Sequence, residues 1–162
     1  MTSQFRLCAA AVVFNSKGKV LLGNRSDRFE DAWQFPQGGI EKGETPLIAA
    51  KRELFEETNV VSVKDIYCDD TPYRYNFPES VKDNFRCRGI YTSGQDIYFS
   101  LFYFFGNESE INVHTACPEF KEYGWKDFDF AVKNIISFKK DVYLSAAVKL
   151  KPLIAQYLNS IS

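Results

Sequence analysis

The sequence predicts an α/β protein, an α/β/α sandwich in which helices cover both faces of a mixed β-sheet. The segment Ile97–Phe105 is apolar on both of its alternating faces, which indicates a central strand covered on both sides. Leu7–Phe14 and Lys19–Gly23 flank a turn of composition Asn-Ser-Lys-Gly and predict a β-hairpin. Pro46–Thr58 and Asp141–Leu150 carry apolar residues at helical spacing and predict helices.

The remaining predicted elements are shorter. Four further strands are expected, at Trp33–Pro36, Val60–Tyr67, Thr71–Phe77 and Glu119–Trp125. Phe128–Ile136 is predicted to be a short helix, and Pro152 is expected to kink the last helix or begin a new turn. Polar stretches predict loops at Arg25–Ala32, at Ser80–Ser93 and, with an edge strand as the alternative, at Glu108–Pro118. The expected core includes Val13, Val20, Leu22, Leu47, Ala50 and Leu54.

The composition is typical of a folded domain. The chain has 162 residues, 45% of them hydrophobic and 25% charged, which predicts one domain over residues 1–162 with a sizeable core. The net charge of −1 argues against a protein that grips long tracts of nucleic-acid backbone, but it allows a site for one polyphosphate end. The fifteen Phe and nine Tyr predict an aromatic core, with base stacking as the alternative.

The cysteines predict free thiols in a reducing compartment. None of the four belongs to a CxxC pair, and His114, predicted to lie in a surface loop, cannot complete a zinc set with them by any usual spacing. No apolar run approaches the roughly 20 residues of a membrane span, and the N-terminal run lacks a basic flank. We therefore expect a cytoplasmic protein, a monomer or small homo-oligomer, without a membrane partner.

The most informative stretch is Gly38–Val60, GGIEKGETPLIAAKRELFEETNV. A helix over Pro46–Thr58 places Glu53, Glu56 and Glu57 at i,i+3 and i,i+4 spacing. Like charges at this spacing repel, and negative charge near a helix C-terminus opposes the helix dipole. Because a multivalent cation removes both penalties, the stretch predicts a metal site.

Each end of this helix carries a capping signal. Thr45 is a suitable N-cap, and Pro46 at the first helical position loses no hydrogen bond. Asn59 falls where helices often end in a left-handed residue.

The residue types in this stretch suit polyphosphate chemistry. Glycines 38 and 39 let the backbone approach a metal or phosphate and expose a carbonyl oxygen. Glutamate oxygens are hard ligands that suit Mg²⁺ or Mn²⁺, ions that bridge phosphate oxygens and activate water. Arg52 is placed to orient a glutamate, and Glu44 to anchor the loop or hold a water.

The spacing G-x5-E-x7-R-E-U-x-E-E-x-G-U, with U apolar, is matched from Gly38 to Val60 except that Asn59 replaces the last Gly. This is the Nudix box, so the chain resembles the Nudix hydrolases. The resemblance implies a Nudix-type α/β/α sandwich around a mixed β-sheet, with a loop-helix-loop catalytic motif. It also implies a Mg²⁺-dependent pyrophosphohydrolase, with Mn²⁺ as the alternative metal.

The flanking segments narrow the resemblance to one branch of the family. Trp33–Gly39, WQFPQGG, is similar to the WQxPQGG segment of the bacterial RNA 5′-pyrophosphohydrolases and the asymmetric diadenosine tetraphosphate hydrolases of plants and bacteria. Further similar segments are Tyr75–Pro78, Gly94–Gln95, Pro118–Phe120 with Trp125, and Ser137–Tyr143. The resemblance thus covers nearly the whole chain.

The box and the resemblance together assign candidate site residues. The catalytic candidates are Arg52, Glu53, Glu57 and Glu119. The candidate metal ligands are Gly38, Glu53, Glu56, Glu57 and Glu119. The substrate-binding candidates, which the resemblance implies, are Arg6, Arg25, Tyr75, Gln95, Phe138, Lys139 and Lys140. The structural alternatives are a core role for Phe138, a solvated lysine pair, a strand-edge charge for Arg6 and an ordinary loop acid at Glu119.

The expected activity is hydrolysis of a pyrophosphate bond in a nucleoside 5′-polyphosphate. The resemblance favours RNA 5′-triphosphate ends, converted to 5′-monophosphate, and leaves diadenosine tetraphosphate hydrolysis as the alternative. A more remote alternative is a non-catalytic nucleotide-binding module. Enzymes that act on nucleotide sugars or oxidised nucleoside triphosphates are less compatible with the flanking segments.

Overall fold

The structure, a computed structural model, describes residues 4–162. Within them, eight strands form one mixed β-sheet. The strands are β1 (Phe5–Phe14), β2 (Val20–Arg25), β3 (Trp33–Gln34), β4 (Gln37–Gly39), β5 (Val63–Cys68), β6 (Tyr73–Asn76), β7 (Gly94–Phe104) and β8 (Phe120–Lys126). Five strands follow the order β3-β2-β1-β7-β5, while β4 pairs with β1, β6 with β7 and β8 with β2. β1 and β7 are parallel and the other pairs antiparallel, so the predicted mixed sheet and the β1–β2 hairpin are confirmed.

Helices lie on both faces of this sheet, as the sequence predicts. They are α1 (Pro46–Thr58), α2 (Glu79–Cys87), α3 (Phe128–Asn134) and α4 (Lys140–Ile161), with short 3₁₀ turns at Glu108–Glu110 and Ser137–Lys139. One core cluster joins the sheet to α1, and a larger one joins its other face to α3 and α4.

The central strand β1 shows why two layers of helices are needed. Ala9 and Ala11 belong to the core cluster that contains Ala49 and Ala50 of α1, and all four are fully buried. The alternate residues, including Cys8, belong to the opposite cluster under α3 and α4. Because successive residues of a strand point to opposite faces, a strand that is apolar throughout must be covered on both sides.

Most of the predicted core residues are buried. Val13, Val20, Leu22, Ala50 and Leu54 are at most 1% exposed. Leu47 is half-buried and packs against the α1 cluster.

The loop predicted at Ser80–Ser93 is wrong, because α2 occupies most of it. The segment is mostly polar, and the helix is stabilised by tertiary contact. The ring of Phe85 stacks on Phe77 with 5.1 Å between centroids and 13° between planes. An i,i+3 pair between Arg86 and Asp83 adds to the helix surface.

The last helix is longer than the predicted Asp141–Leu150 and continues through Pro152 to Ile161. A proline inside a helix costs about 3 kcal/mol. Beyond Pro152, Ile154 is buried and Tyr157 packs against the core. The apolar area that this segment removes from water offsets the cost of the proline.

Further expectations concern the segment Glu108–Pro118, the cysteines and membrane-spanning helices. Glu108–Pro118 contains a 3₁₀ turn and no strand, and His114 is exposed in it. The four cysteines are free. No helix in the described part of the chain has both the length and the apolar character needed to span a lipid bilayer.

Candidate active site

The glycine-rich strand β4 and helix α1 form the base of the site. The predicted caps of α1 are confirmed: Thr45 Oγ1 accepts a hydrogen bond from the Ile48 amide at 3.2 Å, and Asn59 ends the helix in the left-handed conformation, with φ of 63°. At Gly38 an added Cβ atom would overlap the Glu53 carboxylate. The absence of a side chain at Gly38 therefore brings the β4 backbone against the acidic face of α1.

Arg52 organises the acidic residues around it. Its guanidinium donates to Glu44 Oε2 at 2.7 Å, to Glu44 Oε1 at 2.9 Å and to the Gly39 carbonyl at 2.8 Å. It also donates to Glu53 Oε1 at 2.8 Å and to Glu56 Oε2 at 3.3 Å. The hydrogen bond from Arg52 lowers the pKa of Glu44 to about 2. Arg52 thus connects the loop before α1 to the helix and fixes the Glu53 side chain.

Glu57 is buried next to other acidic side chains, which disfavours its ionised form. Its side chain is 6% exposed, and Oε2 accepts a hydrogen bond from the Gln37 amide at 3.2 Å. Burial, followed by the charges of Glu53 and Glu119, raises the pKa of Glu57 to about 9. Burial also raises the pKa of Glu53, against the opposing effect of Arg52. The crowding of acidic side chains that the sequence predicts is therefore present in the folded protein, where it adds to burial in favouring the protonated form of Glu57.

A cavity of about 480 Å³ opens beside these carboxylates. Glu53, Glu57, Glu119 and Gly38 line it together with four cationic residues. The cationic residues are Arg25, Arg28, Arg88 and Lys139. The other lining residues are Asp27, Gln34, Gln37, Phe77, Val81, Asn84, Phe85, Gln95 and Phe138. One cavity thus combines anionic groups that suit a metal ion with cationic groups that suit phosphate.

The cavity also holds unpaired polar atoms. Within residues 4–162, the buried side-chain polar atoms without a hydrogen-bond partner are Arg28 Nε, Gln34 Oε1 and Gln37 Oε1. All three belong to residues that line this cavity. Because buried polar groups are normally paired, such atoms indicate a place where a polar ligand completes the hydrogen bonding.

Lys139 is the most deeply buried of the cations. It is 5% exposed, its Nζ lies 5.7 Å from the centre of the Tyr75 ring, and burial lowers its pKa to about 8. The Tyr75 hydroxyl donates to Gln95 Oε1, and burial raises the pKa of Tyr75 above its usual value. The half-buried Phe138 packs against Tyr75 with 5.9 Å between ring centroids. The surface alternative for Lys139 therefore does not apply.

The other sequence-predicted residues differ in their relation to the cavity. Arg25 lines the cavity and donates to Asp27 from Nε at 3.0 Å and from Nη2 at 2.5 Å. Arg6 and Lys140 are exposed and are not among the cavity-lining residues. Glu56 lies in a second hollow behind the carboxylates, of about 440 Å³, which shares Glu53, Glu57 and Glu119 with the main cavity.

Sequence reasoning missed the α2 wall of the cavity. Val81, Asn84, Phe85 and Arg88 line it because the segment is helical. Residues at positions 81, 84, 85 and 88 have the i, i+3, i+4, i+7 spacing of one helical face, and this spacing is the signal that was available. Gln34 and Gln37, which flank the Phe-Pro pair of WQFPQGG, were also not singled out.

The donor chemistry of the site fits a divalent cation. Among residues 4–162, no three His, Cys, Asp or Glu side chains are already arranged so that they could together hold a metal ion. Arg52 instead pairs with Glu53, while Glu57 is buried beside Glu53 and Glu119, whose charges add to the effect of burial in raising its pKa. Oxygen donors with uncompensated charge suit Mg²⁺ or Mn²⁺ once the side chains turn towards one ion.

Comparisons with known proteins agree with this arrangement. The model of the NUDIX domain family matches residues 4–145. The chain is 38% identical over 149 residues to the RNA pyrophosphohydrolase of Roseobacter denitrificans, which covers 87% of this chain and 88% of that protein. It is 35% identical over 156 residues to the RNA pyrophosphohydrolase of Rickettsia typhi, covering 93% and 92% of the two chains.

Solved structures share the fold at low sequence identity. An Ap4A hydrolase of C. elegans in a binary complex has a TM-score of 0.62 and 18% identity, covering 90% of this chain and 97% of that one. The E. coli dihydroneopterin triphosphate pyrophosphohydrolase has a TM-score of 0.59 and 19% identity, covering 96% and 98%. Given a family match over most of the length and relatives this similar, the chain belongs to the Nudix hydrolase family.

Proposed function

We propose that this Nudix pyrophosphohydrolase acts on RNA 5′-triphosphate ends and leaves a 5′-monophosphate. The observation that carries the proposal is the cavity that three carboxylates share with Lys139, Arg25 and Arg28. A polyphosphate end needs a cation-binding group next to its reacting bond and positive charge along its remaining oxygens. The relatives named RNA pyrophosphohydrolase support the choice of RNA among polyphosphate substrates.

The proposed metal is Mg²⁺, with Mn²⁺ as the alternative, since Nudix hydrolases generally need a divalent ion. Its ligands would come from the Gly38 carbonyl and from the carboxylates of Glu53, Glu56, Glu57 and Glu119. When bound, a divalent ion neutralises charge on the phosphate oxygens and lowers the pKa of water.

The acidic residues have distinct tasks in this proposal. Arg52 holds Glu53 by a hydrogen bond of 2.8 Å and keeps the loop before α1 in place. Glu57 lines the cavity and is a candidate for the base that accepts a proton from the attacking water, in the ionised form that a bound cation would favour. Glu119, the residue before β8, lines the same cavity and is the second candidate.

The substrate contacts form the opposite wall. Lys139 and Arg25 would neutralise phosphate oxygens, and Arg6 and Lys140 would meet the substrate near the mouth of the cavity. Phe138 offers a ring for base stacking next to the hydrogen-bonded pair of Tyr75 and Gln95.

The decisive experiment compares two substrates with Mg²⁺ present. We expect turnover of a 5′-triphosphorylated RNA octamer, with a higher kcat/KM than for diadenosine tetraphosphate. A higher kcat/KM for diadenosine tetraphosphate would support the alternative hydrolase instead. Binding of nucleotides without turnover of either compound would favour a non-catalytic module.

The same assay tests the carboxylates. Glu57→Gln should lower kcat by at least about 10²-fold, because it removes a charge that the transition state needs. Glu110→Gln is a matched control, since Glu110 lies outside the cavity and binds the amides of Val61 and Ser62. Equal activity of Glu57→Gln and the wild type would rule out this role for Glu57.

The proposal treats residues 1–162 as one catalytic domain, a monomer or small homo-oligomer, in the cytoplasm. Four free cysteines are typical of a reducing compartment. Light scattering of the purified protein tests the oligomeric state, and limited proteolysis tests the single domain.

A further inference from the structure

Helix α2 presents two different faces. Val81, Asn84 and Phe85 lie on the face that lines the catalytic cavity, and Arg88, which ends the helix, continues this face. Lys82 and Arg86 belong to the other face and line a separate hollow of about 210 Å³ with Gln4 and Tyr91. The helix therefore separates the catalytic cavity from a second surface.

The cations on these two faces differ in their partners. Lys82 pairs with Glu79 at 3.4 Å, and Arg86 pairs with Asp83. Among residues 4–162, by contrast, neither Arg88 nor Arg6 has a carboxylate within ion-pair distance. Two cations without an acidic partner are thus found near Phe85: Arg88, on the cavity side of α2, and Arg6, which belongs to β1 and lies outside the cavity lining.

Both of these arginines lie over the ring of Phe85. The guanidinium carbon of Arg88 is 4.8 Å from the ring centre, and that of Arg6 is 5.3 Å from it. A guanidinium that already lies against a ring loses little conformational freedom when it binds an anion, and its N–H groups remain available to donate hydrogen bonds. Phosphate, like carboxylate, is an anion that such planar donors can bind through two parallel hydrogen bonds.

The position of this cluster relates it to the substrate cavity. Phe85 stacks on Phe77, and Phe77 meets Phe138 edge to face with 5.9 Å between centroids, so an aromatic wall runs from α2 to Lys139. On the other side, Arg6 Nη2 would lie 3.7 Å from a Cβ atom at Gly39 of β4, next to Gly38 of the catalytic cavity. When an RNA places its triphosphate at the carboxylates, the phosphate between its first and second nucleotides must lie at another part of the cavity wall.

We propose that Phe85, Arg88 and Arg6 form a subsite for the phosphodiester that follows the first nucleotide of the RNA. This inference rests on the proposed function, because it assumes that RNA enters the cavity 5′ end first. The subsite would distinguish RNA from mononucleotides and from diadenosine tetraphosphate, neither of which has an internucleotide phosphodiester.

The test uses Arg88→Ala with Arg86→Ala as the matched control, since both residues are exposed arginines near the end of α2. The first measurement is the Kd of a fluorescent 5′-monophosphorylated RNA octamer, the reaction product, with Mg²⁺ present. The second is the KM of the 5′-triphosphorylated octamer. The third is the Ki of ATP and of diadenosine tetraphosphate as competitors of RNA turnover.

We expect Arg88→Ala to raise the Kd of the monophosphorylated octamer and the KM of the triphosphorylated octamer about tenfold each. This is the effect of losing one charge-assisted hydrogen bond. The salt dependence should also change, because one phosphate contact fewer reduces the slope of log Kd against log salt concentration by about 0.7. Arg88→Lys, which keeps the charge, should restore most of that slope. The Ki values should change less than about threefold, and Arg86→Ala should behave like the wild type.

Three outcomes would overturn the subsite. They are an unchanged octamer Kd in Arg88→Ala, an equal weakening in Arg86→Ala, and a rise in the Ki of diadenosine tetraphosphate as large as the rise in RNA KM. The last result would place Arg88 on the polyphosphate chain instead. Failure of the proposed function would be recognised by a different result, because the wild type would then not turn over the triphosphorylated octamer.

Discussion

Replacing Glu57 with Gln should stabilise the metal-free protein while it abolishes most of the activity. Glu57 is buried next to Glu53 and Glu119, and its pKa rises from 4.5 to about 9 in the folded state. Between these two pH values the unfolded chain loses the proton that the folded protein retains. The folded state binds more protons, so its stability must fall as the pH rises through this window.

The magnitude follows from the same shift. Each pH unit in the window costs the folded state about 1.4 kcal/mol. Raising the pH from 5 to 8 therefore costs up to about 4 kcal/mol, and about 2 kcal/mol if the ionised side chain turns towards the water-filled cavity. Glutamine has no such cost, and its amide can donate to the carboxylates nearby. In a protein of this size the difference corresponds to a Tm gap of about 4 to 16 °C at pH 8.

The assay is thermal unfolding of the wild type and Glu57→Gln in EDTA, from pH 5 to pH 9. The two Tm values should be close at pH 5 and diverge as the pH rises. Excess Mg²⁺ should close the gap, because a ligand at 100 times its Kd stabilises the wild type by about 2.7 kcal/mol. Glu56→Gln is the control, since that side chain is 55% exposed and should change Tm little. Parallel pH profiles for the wild type and Glu57→Gln would refute the reasoning.

Three further predictions concern other parts of the site. Lys139 has a pKa of about 8, so kcat/KM should fall as the pH rises past about 8 and Lys139 loses its charge. Lys139→Arg should move this alkaline limb of the pH profile to higher pH. An alkaline limb that stays in place would assign the loss of activity to another group. Gly38→Ala puts a Cβ atom into the Glu53 carboxylate and should lower kcat at least about tenfold with little change in the circular dichroism spectrum, and full activity would show that the loop tolerates the shift. Asn59→Ala should lower the free energy of unfolding, measured in urea, by about 1 kcal/mol, since φ is 63° at this residue. Asn59→Gly should stay within about 0.5 kcal/mol of the wild type. An equal loss in both variants would assign the effect to the Asn side chain instead.

The catalytic helix was predictable because its signals are local. Thr45, Pro46 and Asn59 mark its ends within the sequence itself, and the spacing of the glutamates fixes which face they share. The strand order was predictable only as a class, since the pairing of β4 with β1 and of β8 with β2 depends on contacts distant in sequence.

The substrate wall was less predictable for the same reason. Lys139 and Lys140 are adjacent and chemically identical, yet one is buried beside Tyr75 and the other is exposed. The turn at Ser137–Lys139 decides which of them points inward, and the sequence carries no local signal for it. Helix α2 depends on the stacking of Phe85 on Phe77, a contact that a reading of the segment by itself cannot supply.

The alanines between α1 and β1 set a dimension of the active site. Ala9, Ala11, Ala49 and Ala50 are fully buried, and each contributes a single methyl group to the layer between helix and sheet. Interiors are packed densely, so larger side chains there would move the helix outward as a rigid body. Such a change would leave every catalytic residue in place in the sequence yet shift the carboxylates away from Gly38. The distance between helix α1 and the sheet therefore limits which side chains these four positions tolerate. Larger side chains there should abolish activity before they unfold the protein.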